Sequence, residues 1–339
     1  MKKLCLIIPT CGRPDSIRFY LKEQAEALFR NGIDLILYDS SPDGSTQEIA
    51  EQFLADGFQN IRYERDTGEQ ERMAIDRKVF RACEEYAPRY DYIWLSSDGT
   101  VIDIDAVFGA MKPELDRGTD LVVFDSRDCM GFSFREYTDC GQLFHDCCWR
   151  MTSLSAGIVS GELLRRAMQM FPVWAEDNYG LWLPMAYFRA IASQPFRAVY
   201  FVKQNSWRAN PMREDSFWKL SGNTLWQWGE IWCRAVCALP GIYNPEKEFV
   251  LKSHDRYTGI FSLRNLPGLK ATGSLSWKKV RSCREYLPQV TDTGIFWFYF
   301  FALCVNRRFA VGLRAVYRKG KRKTGREQIQ THGKDDKAE

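Results

Sequence analysis

The sequence predicts an α/β fold: a mainly parallel sheet flanked by helices, followed by a helical, aromatic-rich C-terminal region. Three observations carry this. Short continuous apolar runs alternate with amphipathic stretches from residue 4 to residue 125, the strand–loop–helix rhythm of a parallel sheet. The loops after several of those runs, at 9–14, 39–45 and 96–100, are polar, and in such sheets ligands bind beyond the carboxyl ends of the strands. Past about residue 215 the rhythm gives way to a tryptophan-rich stretch, FWKLSGNTLWQWGEIWCRAV.

Taken in order, residues 4–8 form an apolar run that suits a strand buried on both faces. Residues 16–30 carry Ile17, Tyr20, Leu21 and Leu28 at helical spacing, and Asn31-Gly32 stops that helix. Strands follow at 34–38 and 61–63, with a helix over 46–55 between them. A helix over 69–86 leads to the strand Tyr92–Leu95. Residues 120–125 read as a further strand and 126–150 as irregular, rich in cysteine and aromatics. Residues 162–170 are helical, the latter half of PVWAEDNYGLWLPMAYFRAIA is another helix, and 199–202 return to a strand.

The chain has 339 residues, 45% of them hydrophobic, enough for one large domain or a domain with an appendage. Aromatics make up 14%, with 11 Trp, which suits cores, sugar stacking and membrane surfaces. The formal net charge of +4 conceals an asymmetry. No acid lies between Asp292 and Glu327, a window with nine cations: Arg307, Arg308, Arg314, Arg318, Lys319, Lys321, Arg322, Lys323 and Arg326. The remainder is mildly acidic. A localised anionic partner is expected, and no nucleic acid. The start, MKKLCLIIPTCGRP, superficially resembles a signal peptide, but its apolar part is short and ends at Pro9; it reads as a first strand without export. Eleven irregularly spaced cysteines suggest reduced thiols in a cytosolic protein.

The polar loops hold the candidate chemistry. Asp39 and Asp43 lie in YDSSPDGST, directly after a strand. Carboxylates there accept from a base N–H or ribose hydroxyls, or else from their own backbone in an Asx-turn and helix cap. Asp98 ends YIWLSSDGT, where it either holds a divalent cation against a diphosphate or makes an Asp-Gly turn. Glu176-Asp177 precedes a helix, as a cap or as a general base. Arg72, Asp76, Arg77 and Lys78 either face a nucleotide diphosphate or form a solvated helix face, with Arg72 and Asp76 spaced i,i+4.

These loops together resemble the family 2 glycosyltransferases, which have the Rossmann-like GT-A fold. IIPTCGRP is similar to that family's opening strand and loop, YDSSPDGST to its nucleotide-binding acidic loop, and YIWLSSDGT to the strand bearing its D-x-D metal motif. SLSAGIVSGELL looks like its acceptor-side segment, AEDNYGLWL like its E-D motif, and VYFVKQNSWRANPMR like the strand and basic loop that follow. The resemblance covers residues 3–215. It implies nucleotide-sugar contacts from Pro9, Thr10, Arg13, Asp39, Asp43, Arg72, Asp76, Lys78 and Ser97. It implies Mg²⁺ or Mn²⁺ at Asp98, Asp177 as catalytic base, and Gly157, Glu176, Trp207 and Arg208 on the acceptor side. Ser96 departs from the pattern by replacing the first aspartate of D-x-D, and ERMAIDRKVFRA departs from the family's A-R-N-x-G. The donor implied is a nucleotide sugar, a UDP-sugar by family frequency. The acceptor implied is a glycan, in particular one linked to polyprenyl diphosphate, and inversion follows from a single displacement.

The expected organisation is a catalytic domain at 1–215, a helical extension at 216–293 with an acceptor-side role, an apolar and basic membrane-associating segment at 294–326, and a disordered tail at 327–339. GIFWFYFFALCV, residues 294–305, would span roughly 18 Å as a helix, short of the roughly 30 Å hydrocarbon core. In the stretch that follows, Arg307, Arg314 and Arg318 share one helical face opposite Phe309, Leu313 and Val316, which suits peripheral attachment to the inner face of the cytoplasmic membrane. Cys140, His145, Cys147 and Cys148 lack the paired spacing of a zinc site. A nucleotidyltransferase is disfavoured because the CGRP loop has a single glycine. A non-catalytic membrane scaffold is the alternative from a different class.

Overall fold

Seven consecutive buried residues, Leu4–Thr10, make the strand β1 on which the sheet is built. Their side chains are covered on both faces of the sheet, and the backbone pairs on both edges: Ile8 with Leu37 and Ile7 with Leu95, both in parallel. The computed structural model describes residues 3–67, 74–170, 182–212 and 222–313, and for 74–76 and 182 it describes the backbone only.

The elements follow as α1 (Pro14–Arg30), β2 (Asp34–Asp39), α2 (Ser45–Ala55), β3 (Ile61–Arg65), α3 (Ala74–Tyr86), β4 (Tyr92–Leu95), β5 (Thr100–Ile102) and α4 (Ile104–Asp116). Then come β6 (Leu121–Asp125), β7 (Phe134–Tyr137), α5 (Cys140–Cys147), β8 (Gly157–Ser160), α6 (Gly161–Gln169), α7 (Trp182–Ala192), β9 (Ala198–Val202) and β10 (Trp207–Ala209). Eight strands form one sheet in the order β3-β2-β1-β4-β8-β6-β9-β7, and β5 pairs with β10 in a small antiparallel ribbon. The sheet is mostly parallel. Strand β8 enters antiparallel between β4 and β6, and β7 lies antiparallel on the edge against β9.

Local chemistry explains the boundaries. Helix α1 starts with Pro14, whose fixed φ and missing N–H suit a first turn, and buries Ile17, Tyr20, Leu21 and Leu28 against the sheet. Gly32, at φ +64°, turns the chain out of it. Helix α6 is capped by Ser160, whose hydroxyl accepts from the Leu163 N–H at 3.2 Å, and its first residue has to be Gly161, since a Cβ there would lie 2.5 Å from the Tyr90 carbonyl and 2.8 Å from that of Ala87.

The span 126–150, expected to be irregular, contains β7 and α5. Strand β7 is four residues long and takes its order from pairing with β9, more than sixty residues away, which no local pattern announces. Helix α5 is capped by Asp139, whose carboxylate accepts from the Gln142 N–H at 2.7 Å. The expected helix over 69–86 is described from Ala74.

The chain divides into two compact units, Met1–Glu214 with Arg234–Val250, and Asp215–Cys233 with Leu251–Glu339. The first contains the sheets. Residues 234–250 return to it, with the Tyr243 hydroxyl donating to the Phe188 carbonyl at 2.6 Å. The second unit is helical. Trp232 is fully buried in it and donates from Nε1 to the Leu251 carbonyl at 2.9 Å, while Trp228 stacks on His254 with ring centroids 3.8 Å apart.

Burial drives the pKa of His254 down to about 3, so its imidazole stays neutral in the folded unit. The unfolded chain protonates that ring below about pH 6.5. Its contribution to stability is therefore complete above that pH and is lost as pH falls, at about 1.4 kcal/mol per pH unit down to the folded value. Urea unfolding should show the second unit about 2 kcal/mol less stable at pH 5 than at pH 7.5 through this group, and His254→Leu should remove that part of the pH dependence.

Candidate functional site

Strands β1, β2 and β4 end side by side, with Thr10 opposite Asp39 in the register. Their carboxyl ends gather most of the polar side chains expected of a site. The chain leaves β1 through Gly12, at φ +61°, a left-handed bend that glycine adopts without strain. The bend brings Arg13 back over the sheet edge. Its Nη1 lies 3.2 Å from Asp98 Oδ1 and 3.4 Å from Oδ2, and Thr10 Oγ1 donates to Asp98 Oδ2 at 3.3 Å.

SSDG does make a turn, closed by the Thr100 N–H on the Ser97 carbonyl at 3.1 Å. Yet the Asp98 side chain points inward. Asp98 is 2% exposed, while the Arg13 side chain remains 31% exposed. The backbone beneath is fixed by Asn210, whose Nδ2 donates to the Asp98 carbonyl at 2.8 Å and the Ser16 carbonyl at 2.9 Å. One side chain thus ties β4, α1 and the end of β10 together. Sequence reasoning missed Asn210; its position just before a proline is compatible with many loops.

Asp39 is fully buried. Its Oδ1 accepts from the Ser41 N–H at 2.9 Å and the Ser41 hydroxyl at 2.5 Å, and its Oδ2 from the Tyr63 hydroxyl at 3.2 Å. Ser41 in turn accepts from the Gly12 N–H at 2.7 Å, so Asp39 braces the loop that carries Arg13. Asp43 is exposed and makes the Asx-turn: its carboxylate accepts from the Ser45 hydroxyl at 2.7 Å and N–H at 3.2 Å, which holds it below the usual carboxylate range. Lys78 is 3% exposed and donates to the Thr10 carbonyl at 2.6 Å. Burial pushes its ammonium below the usual lysine range, against the opposing fields of Cys11, Asp66 and Asp39. At the end of β3, Arg81 grips Asp66 with two bonds of 2.9 and 2.7 Å, a pair the sequence reading did not single out.

Pro9 lies in β1 opposite Tyr38, and Ser97 Oγ sits 3.2 Å from Thr100 Oγ1. Ser96, in place of an acid, is fully buried with its hydroxyl 3.0 Å from that of Ser155. Gly157 opens β8 opposite Val123. Trp207 donates from Nε1 to Ser126, and the Arg150 guanidinium lies 4.1 Å over its ring while pairing with Asp125 at 3.0 Å. Arg208 is exposed and pairs with Glu23 on α1. Arg72, Glu176, Asp177 and the side chain of Asp76 lie outside the described residues. Cys147 and Cys148 are buried, whereas His145 pairs with Glu246 at 2.6 Å beside a cavity of about 640 Å³ that Arg135 and Asp139 also line.

The donors at Asp98 suit a divalent cation in kind: a carboxylate and the Thr10 hydroxyl are hard oxygens. Among the described residues no group of three or more His, Cys, Asp or Glu is placed to hold a metal ion, so diphosphate oxygens and water would have to complete the shell. Arg13 already faces that carboxylate. A cation fits at Asp98 in exchange for the guanidinium. Calorimetry with Mn²⁺ and no nucleotide should accordingly find Arg13→Gln binding on the order of tenfold more tightly than the parent, the effect of removing one nearby like charge. Asp98→Asn should abolish the binding, and equal affinity in the parent and Arg13→Gln would mean that the guanidinium does not compete.

No family model matches the sequence, and no curated protein matches it. Solved structures do. S. aureus TarS 1–349 is similar with a TM-score of 0.51 and 12% identity, over 94% of this chain and 92% of that one. The same fragment in complex with UDP gives a TM-score of 0.51 and 12% identity over the same shares. The longer S. aureus TarS structure gives 0.52 and 12%, over 91% of this chain and 55% of its own, so the chain spans about half of that structure. At this identity the likeness is one of fold. The mostly parallel eight-stranded sheet with its flanking helices is the GT-A fold, shared with those structures.

Proposed function

We propose that this chain is an inverting glycosyltransferase that moves a sugar from a nucleoside-diphosphate sugar to a hydroxyl of a glycan acceptor in cell-surface polysaccharide synthesis. The observation that carries the reading is the buried carboxylate of Asp98, held by Arg13 and Thr10 at the carboxyl edge of a GT-A sheet. Such an edge is where nucleotides bind in open α/β sheets. A UDP-sugar is the favoured donor, which the likeness to TarS in complex with UDP supports.

In this mechanism Asp39 and Tyr63 brace the nucleotide-side loop, and Arg13 offers its partly exposed guanidinium to the diphosphate. Lys78 fixes the Thr10 carbonyl and so the end of β1. A divalent cation held by Asp98 would offset the charge of the departing diphosphate. Asp177 accepts the proton of the acceptor hydroxyl as its oxygen attacks the anomeric carbon. The new C–O bond forms on the face opposite the bond to the diphosphate, which breaks, and configuration inverts. The finer acceptor is a glycan on polyprenyl diphosphate, a reading motivated by the acid-free, apolar and basic stretch after residue 293.

A non-catalytic scaffold is the second reading, and Ser96 favours it by removing one acid of the expected pair. Release of nucleoside diphosphate from a panel of nucleotide sugars, with Mn²⁺ or Mg²⁺ and lipid extract as acceptor, separates the two. One donor should be turned over, with Asp98→Asn and Asp177→Asn each slower by about a hundredfold or more. Silence across the whole panel would favour the scaffold.

A further inference from the structure

The second unit carries an apolar surface that the transfer reaction does not use. Helix Ile295–Leu303 is apolar all round, IFWFYFFAL. One side is docked: Phe298 is fully buried with its ring 5.7 Å from Phe261, Ala302 is buried, and Lys270 Nζ caps the Ala302 carbonyl at 2.5 Å. The other side is bare. Phe296 is 64% exposed, Leu303 61%, and Trp297 and Phe300 both 39%. The three rings touch and form one patch, with Phe296 stacked on Phe300 at 6.2 Å between centroids and Trp297 edge-on to Phe300 at 5.8 Å. In the helix that follows, Phe309 is 63% exposed and is preceded by the exposed arginines Arg307 and Arg308.

A helix whose inner face packs has no need of aromatics on its outer face for folding, and a soluble surface rarely tolerates so many in one place. The charge of the sequence that carries the patch says what meets it. From Thr293 to Arg326 the sequence holds nine cations and no acid. The partner must therefore offer apolar depth and negative charge over one surface, which an anionic lipid bilayer does. Length and shape decide how. Nine helical residues reach about 14 Å, under half of a hydrocarbon core. The next helix is turned from the first by 109°, so the two do not form one straight span. We infer that this face lies in the interface of an anionic membrane, with Phe296, Trp297, Phe300 and Leu303 among the acyl chains and Arg307 and Arg308 at the headgroups. None of its residues is in the candidate site, so the inference stands apart from the transfer reaction itself and shares its ground only with the lipid-linked acceptor.

The test is co-sedimentation of the full chain with vesicles of phosphatidylcholine alone and of phosphatidylcholine mixed with phosphatidylglycerol, alongside its oligomeric state in solution. The parent should bind the mixed vesicles, and bind less as salt rises. Phe296→Ser with Phe300→Ser should lower partitioning by tenfold or more, and Arg307→Gln with Arg308→Gln should lower it on the mixed vesicles only. Both pairs are exposed, and an unchanged circular dichroism spectrum and Tm would show that the fold is kept. Absence of vesicle binding by the parent overturns the inference. So does binding that the serine pair leaves intact, which would assign it to the basic tail alone. A parent that is dimeric and becomes monomeric in the serine variant, without vesicle binding, would assign the face to a second copy of the chain.

Discussion

A buried carboxylate is tolerable only beside a positive charge or a full set of hydrogen-bond donors, and Asp98 imposes that demand on the first unit. It sits at the end of β4, where water is excluded by the neighbouring strands. The guanidinium that answers it comes from the loop after β1, so the left-handed bend at Gly12 has to place Arg13 over β4. The loop then has to be held in that bend. Asp39 does this from β2 through Ser41 to the Gly12 N–H, and Lys78 does it from α3 through the Thr10 carbonyl. Asn210 closes the other side by fixing the Asp98 backbone to the first turn of α1. Each brace is intelligible as a consequence of one ion pair.

Much of this was legible in the sequence. Continuous apolar runs that give way to Pro-Thr, Asp and Ser mark β1, β2 and β4, because strands buried on both faces have no room for alternation and the polar residues begin at their carboxyl ends. Asp39, Asp98 and Arg13 stand out for the same reason, whereas Lys78 lies on a helix where the sequence left a solvated face equally open. Strands β7 and β8 are another matter. Each is four residues long and is ordered by partners far away in sequence, so neither composition nor period sets it apart from a loop. Asn210 and Arg150 were hidden for a related cause. Their roles depend on which backbone carbonyls and rings the fold brings to them, and that is a property of the tertiary structure.

The second unit shows the opposite limit. Its tryptophans permitted two readings, a groove lining or a core, and side-chain burial separates them residue by residue. Trp232 is fully enclosed and hydrogen-bonded, and Trp228 lies flat on a buried imidazole. Trp297, drawn from the same aromatic composition, stands at the surface beside Phe296 and Phe300. Hydropathy alone treats these residues alike. What distinguishes them is that Ile295–Leu303 is apolar around its whole circumference, while a helix docked on one side can bury only one stripe.

The two acids that end β2 and β4 differ in a way that bears on how a ligand would enter. Asp39 is satisfied by neutral donors from its own loop and from Tyr63, all of them part of the local structure, so displacing them would undo the loop. Asp98 is satisfied chiefly by a side chain that is nearly a third exposed, on a long flexible stem, and Arg13 can leave without breaking any backbone bond. An incoming diphosphate with its cation offers both partners of this ion pair something in exchange: oxygens for the guanidinium and positive charge for the carboxylate. The exchange conserves the number of compensated charges, so a buried acid need never be left unpaired along the way. Under the proposed function, the resting ion pair and the ligand-bound arrangement would be two pairings of the same charges, with Arg13 the group that moves between them.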